Sequence, residues 1–237
     1  MTIAEKLQLI ARNVQKVFDS GRKAERDEFW EVYLNSGKRT TYDYGFYRWG
    51  ADIFYPNHNI ECVANPTFAF AYLNNPKTTE FDLSLRLKEC NVILDVSRVT
   101  TGLNYMFFYA NTESIPELDA KGCTTFANTF AYSSVKTIEK LILNNSGNQT
   151  FQNTFLNTTY LRDIEIEGSI GNNIDFKSCI NLSTESLRSI LKALSTNGSG
   201  KAITFATASQ AIIESDTECI QYATAAKSAG WTIAYNS

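Results

Sequence analysis

Phe126-Ala127-Asn128-Thr129-Phe130, followed by Ile138-Glu139-Lys140-Leu141-Ile142-Leu143, is the stretch on which the fold turns. The segment before it carries the same pattern. Leu103-Asn104-Tyr105-Met106-Phe107 and Ile115-Pro116-Glu117-Leu118 match it from 103 to 126, 107 to 130, 115 to 138 and 118 to 141, 23 residues each time. The segment after it is Phe151-Gln152-Asn153-Thr154-Phe155 with Leu161-Arg162-Asp163-Ile164-Glu165-Ile166. Its aromatics are displaced by 25 residues and its aliphatic run by 23. Phe176-Lys177-Ser178-Cys179-Ile180 starts a further unit 25 residues on. A weaker, earlier unit holds Phe68, Tyr72 and Phe81-Asp82-Leu83, with Leu94-Asp95-Val96 between it and the next.

Periods of roughly 20–29 residues with short aliphatic alternations mark a leucine-rich-repeat solenoid. Each unit supplies one short strand, such as Leu141–Leu143 or Ile164–Ile166, and one aromatic-bearing turn that stacks on its neighbours. A single unit cannot bury its own apolar face, whereas a stack of about four or five can. The Asn-Thr pairs at 128–129 and 153–154 are expected to bond backbone groups at the bends.

Composition agrees with such a stack. The chain has 237 residues, 43% hydrophobic and 13% aromatic, which excludes disorder and collagen. Asn, Thr and Ser number 21, 24 and 19. Side chains that compete locally for backbone hydrogen bonds favour turns, so this excess speaks against a helical bundle. With 22 basic and 25 acidic residues the net charge is −3, the wrong sign for a nucleic-acid binder. No run of apolar residues is long enough to span a membrane. The opening residues show no charged n-region and apolar h-region, so no signal peptide is visible. Five cysteines, at 62, 90, 123, 179 and 219, form no CxxC pair and read as free, packed thiols.

Outward from the repeats, both ends change character. Residues 1–37 form an amphipathic helical segment in which Ile3, Leu7, Ile10, Val14 and Val17 recur at a/d heptad spacing. Thr2 and Glu5 make a capping box. Either this helix packs on its own domain, or it is a short coiled coil joining subunits. Residues 38–65 are an aromatic-rich cap with Tyr42, Tyr44, Phe46, Tyr47, Trp49, Phe54 and Tyr55. Such a block covers the open end of a repeat core, or presents rings such as Tyr44 and Trp49 to sugars. Residues 66–182 are the repeat region. In residues 183–237 the period is lost. Leu187, Ile190, Leu191 and Leu194 give one helix, capped by Ser183 or Thr184. Ala202–Phe205 reads as a strand, Ala208–Ala229 as one helix and Trp231–Tyr235 as a closing strand. Their expected task is to cover the last repeat while extending its sheet in parallel.

Chemistry is sparse. No phosphate-binding glycine loop, nucleophile elbow, zinc motif or calcium loop is present. The single histidine, His58, sits in a Pro56–Asn59 turn without a catalytic neighbour. Glu165 and Glu167 share the outward face of one strand with Asp163 in line. The plain reading is a solvated strand face; the sharper ones are a cation site or a pair of glycosidase carboxylates. No catalytic residue, cofactor or metal ligand is assigned.

The pattern F-x-x-[C/T]-x…L-x-x-I-x-I, best seen at Phe176-Lys177-Ser178-Cys179, resembles the BspA-like leucine-rich repeats. Thr129 and Thr154 stand where that family usually has Cys. The head, from Ile3 through Gly21-Arg22-Lys23-Ala24-Glu25 to Phe29-Trp30, is similar to BspA-like proteins of phages and prophages of gut Firmicutes. That resemblance implies an α+β protein: a BspA-like solenoid with an N-terminal helix and a C-terminal helix/strand cap. It also implies a non-enzymatic role in tail structure or cell-surface attachment. The expected partner is a protein, either a tail component or a surface ligand, with a homo-oligomer through the N-terminal helix as a further expectation. The expected location is the virion or the cell surface. The alternative is a glycan-binding or glycan-cleaving surface protein.

Overall fold

The computed structural model describes residues 59–61, 93–96, 99–110, 114–115 and 117–236. All belong to the unit Thr40–Ser237. The heptad residues Ile3, Leu7, Ile10, Val14 and Val17, the aromatic block with Tyr44 and Trp49, His58 and the early unit at 68–83 lie outside the described residues.

Helices and strands are mixed. Nine strands are described: β1 (Asn59–Glu61), β2 (Ile93–Asp95), β3 (Ser114–Ile115), β4 (Leu118–Asp119), β5 (Thr137–Ile142), β6 (Asp163–Glu167), β7 (Ile174–Phe176), β8 (Ala202–Ala206) and β9 (Thr232–Asn236). Three helices accompany them: α1 (Thr184–Lys192), α2 (Thr207–Ser215) and α3 (Thr217–Ser228). Every described pairing is parallel. β3 and β4 lie along one edge of β5, and β6 lies along the other. β7, β8 and β9 form a separate sheet.

Register shows why the spacing recurs. Ile115 pairs with Ile138 and Leu118 with Leu141, the 23-residue steps seen in the sequence. The next step differs from expectation. Ile138 pairs with Ile164 and Leu141 with Ile166, so the aliphatic run moves by 26 and then 25 residues, not 23. The cause is an irregularity in β5, where Glu139 and Lys140 stand opposite the single residue Glu165. Buried Leu161 then falls in line with buried Val135 rather than with Ile138.

The turns stack as tightly as the strands. The N–H groups of Leu103, Tyr105, Phe107 and Tyr109 donate to the carbonyls of Thr125, Ala127, Thr129 and Ala131 at 2.8–3.0 Å. One turn on, Phe126, Asn128, Phe130 and Tyr132 donate to Thr150, Gln152, Thr154 and Leu156 at 2.7–3.0 Å. Two positions per turn are left-handed: Tyr105, Asn128 and Asn153 (φ 53–55°), and Tyr109, Tyr132 and Asn157 (φ 53–60°). Asparagine enters that region more readily than most residues, which accounts for part of its abundance.

The buried threonines do the remaining polar work. Thr129 Oγ1 donates to the Leu103 carbonyl (2.8 Å), Thr154 to Phe126 (2.9 Å) and Thr158 to Phe130 (2.8 Å). Each bond ties one turn to the turn before it. Inside them runs a ladder of rings. Phe107, Phe130, Phe155, Phe176 and Phe205 stack at centroid separations of 5.6, 5.4, 4.5 and 6.0 Å. A shorter column holds Phe126 on Phe151 at 5.3 Å. Phe176 therefore belongs with Phe155, not with Phe151 as the 25-residue spacing suggested. Cys179, whose N–H bonds the Phe176 carbonyl, is correspondingly the counterpart of Thr158, whose N–H bonds Phe155.

The final segment closes the stack with different chemistry. Ser183 caps α1 by accepting from the Ser186 N–H. α1 then lies along the free edge of β6, where its serines replace a neighbouring strand. Ser186 Oγ accepts from Ile164 N–H (2.8 Å) and donates to the Arg162 carbonyl (3.1 Å). Ser189 Oγ accepts from Ile166 N–H (2.8 Å). β8 and β9 consequently extend β7 rather than the sheet of β5 and β6. The single long helix expected at 208–229 is two helices. Asp216 is extended (φ −81°, ψ 128°), ends α2, and accepts from Cys219 N–H to cap α3.

Candidate functional site

The strand faces alternate. On β6, Ile164 and Ile166 are buried while Glu165 and Glu167 are exposed. On β5, Ile138 and Leu141 are buried, Glu139 is exposed and Lys140 is half-buried. The irregularity of β5 sets Lys140 beside the β6 carboxylates. Its Nζ lies 3.8 Å from Glu165, 3.9 Å from Glu167 and 3.9 Å from Glu117. Pairs this exposed contribute about 0–1 kcal/mol each and are weakened by salt. One ammonium shared by three carboxylates leaves the face negative.

Beside this face an open groove of about 440 Å³ runs between β6 and the helices. Glu165 and Glu167 form one wall; Arg188 and Lys192 of α1 and Glu218 and Tyr222 of α3 form the other. Arg188 is fixed. Its guanidinium grips Asp216 through two bonds, Nε to Oδ1 at 3.0 Å and Nη2 to Oδ2 at 2.6 Å, and approaches Glu218 at 3.6 Å. The hydrogen bond from Arg188, with a second from the Cys219 N–H, holds the Asp216 carboxyl well below the usual carboxylate range.

A second groove of about 610 Å³ adjoins the first and shares Gly168, Lys192 and Ala193 with it. Asparagine, serine and glycine dominate its lining. The glycines are structural. A Cβ on Gly171 would collide with the Gly147 carbonyl, and one on Gly168, at φ +95°, with that of Leu143.

The structure thus brings Glu165 and Glu167 together around Lys140. Tyr44, Trp49 and the heptad residues lie outside the described residues. Lys140 was not singled out from the sequence, although it stands as an opposite charge in the neighbouring unit. Arg188, Glu218 and Lys201 carried no such signal, because only the folding of α1, α3 and the turn before β8 brings them to the grooves.

Cys123, Cys179 and Cys219 are buried free thiols. Burial, and next the hydrogen bond to Asp216, pushes Cys219 up to about 12. Burial also raises Cys179 strongly. Neither is a nucleophile at neutral pH. Among the described residues no group of three His, Cys, Asp or Glu side chains is arranged to hold a metal ion. No helix among them is long and apolar enough to cross a membrane. No family model, no curated protein and no solved structure matches the chain.

Proposed function

We propose that the chain is a non-enzymatic binding protein. In this reading it is a BspA-like leucine-rich-repeat solenoid whose sheet face docks a protein partner, either a phage tail component or a cell-surface ligand. Support for the repeat reading comes from the parallel register at 23–26-residue steps and the continuous phenylalanine ladder. The observation that carries the docking role is the exposed acidic face around Lys140. A flat surface of fixed strands with excess negative charge suits a partner that presents basic side chains. The heptad residues Ile3, Leu7, Ile10, Val14 and Val17 would join copies of the chain.

The test is co-sedimentation of the labelled full chain. One arm uses intact Gram-positive gut bacteria and the other purified tailed-phage particles. Attachment to one of them, weakened by Glu165→Gln with Glu167→Gln and by added salt, is expected. Attachment to neither rejects the proposal. Light scattering of the full chain and of a form lacking residues 1–20 tests the joining of copies. A monomer in both rejects it.

One observation favours the glycan reading: Glu165, Glu167 and Glu218 line a single groove. Cleavage needs two such carboxylates facing one sugar bond. Release of reducing ends from bacterial polysaccharide, abolished by Glu165→Gln, would displace the non-enzymatic reading.

A further inference from the structure

We infer that the second groove, between the 144–149 turn, the 168–172 turn and residues 192–201, is a binding site for an anionic oligosaccharide, one that carries carboxylates among many hydroxyls. This rests on the glycan-binding reading, gives it a location and a substrate class, and requires neither cleavage nor a protein partner.

Charge is the first reason. Lys192 and Lys201 both line the groove, and no carboxylate does. Lys201 Nζ is held by a neutral group, the Asn172 side-chain oxygen, at 3.0 Å. Neither ammonium is ion-paired among the described residues, although the neighbouring sheet face holds an excess of acid. Two cations without an ion-pair partner in a polar groove favour a ligand that brings negative charge.

The remaining lining says what else the ligand carries. Asn145 and Asn197 project exposed amides, each with donors and an acceptor, and Ser146 and Ser169 add hydroxyls. Such groups match vicinal sugar hydroxyls. The groove offers no aromatic ring to stack a base, no arginine to fork a phosphate and no large apolar hollow to anchor a peptide.

The site is built before any ligand arrives. Asn144 Oδ1 accepts from the N–H groups of Ser146 and Gly147, both at 3.1 Å, and Asn144 Nδ2 donates to Asn148 at 3.0 Å. Buried Gln149 accepts from Asn144 N–H at 3.0 Å and donates to the carbonyls of Ala120 and Cys123 at 2.8 and 2.7 Å. Asn172 Nδ2 then donates to the Gln149 carbonyl at 2.9 Å, joining the two turns. With the turns fixed and the Gly147–Gly171 contact leaving no side chain on the floor, a ligand loses little affinity to ordering the protein.

Calorimetric titration of the full chain tests this with four probes: tetragalacturonate, maltotetraose, inorganic phosphate and tetraglutamate. Tetragalacturonate should bind, and less tightly as salt rises. Lys192→Gln should weaken it about ten-fold, and the pair Lys192→Gln with Lys201→Gln further. Lys177→Gln, which breaks an exposed pair with Asp175 away from the groove, should leave binding unchanged. Lys192 is exposed, so its variant should keep the native melting temperature even if loss of the Lys201 bond lowers it. Unchanged affinity in the double variant overturns the inference. Equal affinity for phosphate or for tetraglutamate does so too. Binding of maltotetraose alone overturns this site while the glycan reading survives; binding of neither sugar removes both.

Discussion

The stacked turns at 99–182 and the closing segment at 183–236 solve one problem by different chemistry. Within the turns, backbone N–H groups bond the next layer and threonine hydroxyls the layer before. Thr129, Thr154 and Thr158 reach back to carbonyls 26–28 residues upstream, and the phenylalanine rings lie face to face. The closing segment does not repeat that pattern. Helix hydroxyls from Ser186 and Ser189 meet the bare edge of β6, and an Arg188–Asp216 clamp fixes α1 to the junction of α2 and α3. The ring ladder continues across the boundary, from Phe176 to Phe205, together with the parallel pairing of β7 with β8. The stacked turns use uniform, neutral contacts; the closing segment adds specific and charged ones.

The largest expected effect tests the ladder. Phe155 is buried between Phe130 and Phe176. Phe155→Ala should cost about 3–5 kcal/mol, measured by urea unfolding. If the two regions share one core, both should unfold at the lowered midpoint. A closing segment that kept its own higher transition would split them.

Next in size is the hydroxyl edge. Ser186→Ala leaves the Ile164 N–H without its acceptor in a buried setting, at a cost of about 1–3 kcal/mol. Hydrogen exchange should quicken at Ile164 far more than at Leu143, whose N–H bonds the Glu167 carbonyl across β6. Equal exchange at both would mean that α1 is not what protects this edge.

The ion-paired junction should answer to pH, unlike the turns. The folded Asp216 carboxyl is depressed by Arg188 and the Cys219 N–H. Its stabilising contribution is therefore complete above the unfolded carboxylate range near pH 4 and is lost as pH falls toward the folded value. Asp216→Asn should be less stable than the native chain at pH 7, and the gap should narrow steadily below about pH 4. A gap independent of pH would remove the charge from this account.

How far the sequence foretold these contacts differs between the same two regions. Ile115 with Ile138 and Leu118 with Leu141 were legible because equal spacing places equal side chains in register. The extra residue at Glu139-Lys140 was not, since alternation reads the same with or without it until a partner strand is known. Phe176 was misplaced because both ring columns use phenylalanine, so spacing alone cannot choose between them. Asp216 hid because the apolar residues on either side, Ile212, Ile213, Cys219 and Ile220, keep a helical spacing, although Asp216-Thr217-Glu218 carries the acidic, oxygen-bearing start of a helix. Glu165 and Glu167 were legible as an exposed pair. Lys192 and Lys201 were not legible as a site, because each is an ordinary lysine until the turns assemble around it.

The smallest expected effect sharpens the comparison from inside the turns. Ser133 and Thr158 occupy equivalent places, each donating its N–H to the ring residue three before it, Phe130 and Phe155. Thr158 Oγ1 finds the Phe130 carbonyl, whereas Ser133 Oγ is buried without a partner. A buried hydroxyl that bonds nothing has lost its water and gained no compensation. Thr158→Val should therefore destabilise by about 1 kcal/mol, while Ser133→Ala should be neutral or stabilising by a few tenths to about 1 kcal/mol. Urea midpoints of the two variants, measured side by side, decide it. A Ser133→Ala cost as large as that of Thr158→Val would show that Ser133 has a hydrogen-bond partner in solution, and the layers would then be as uniform in their polar contacts as they are in their rings.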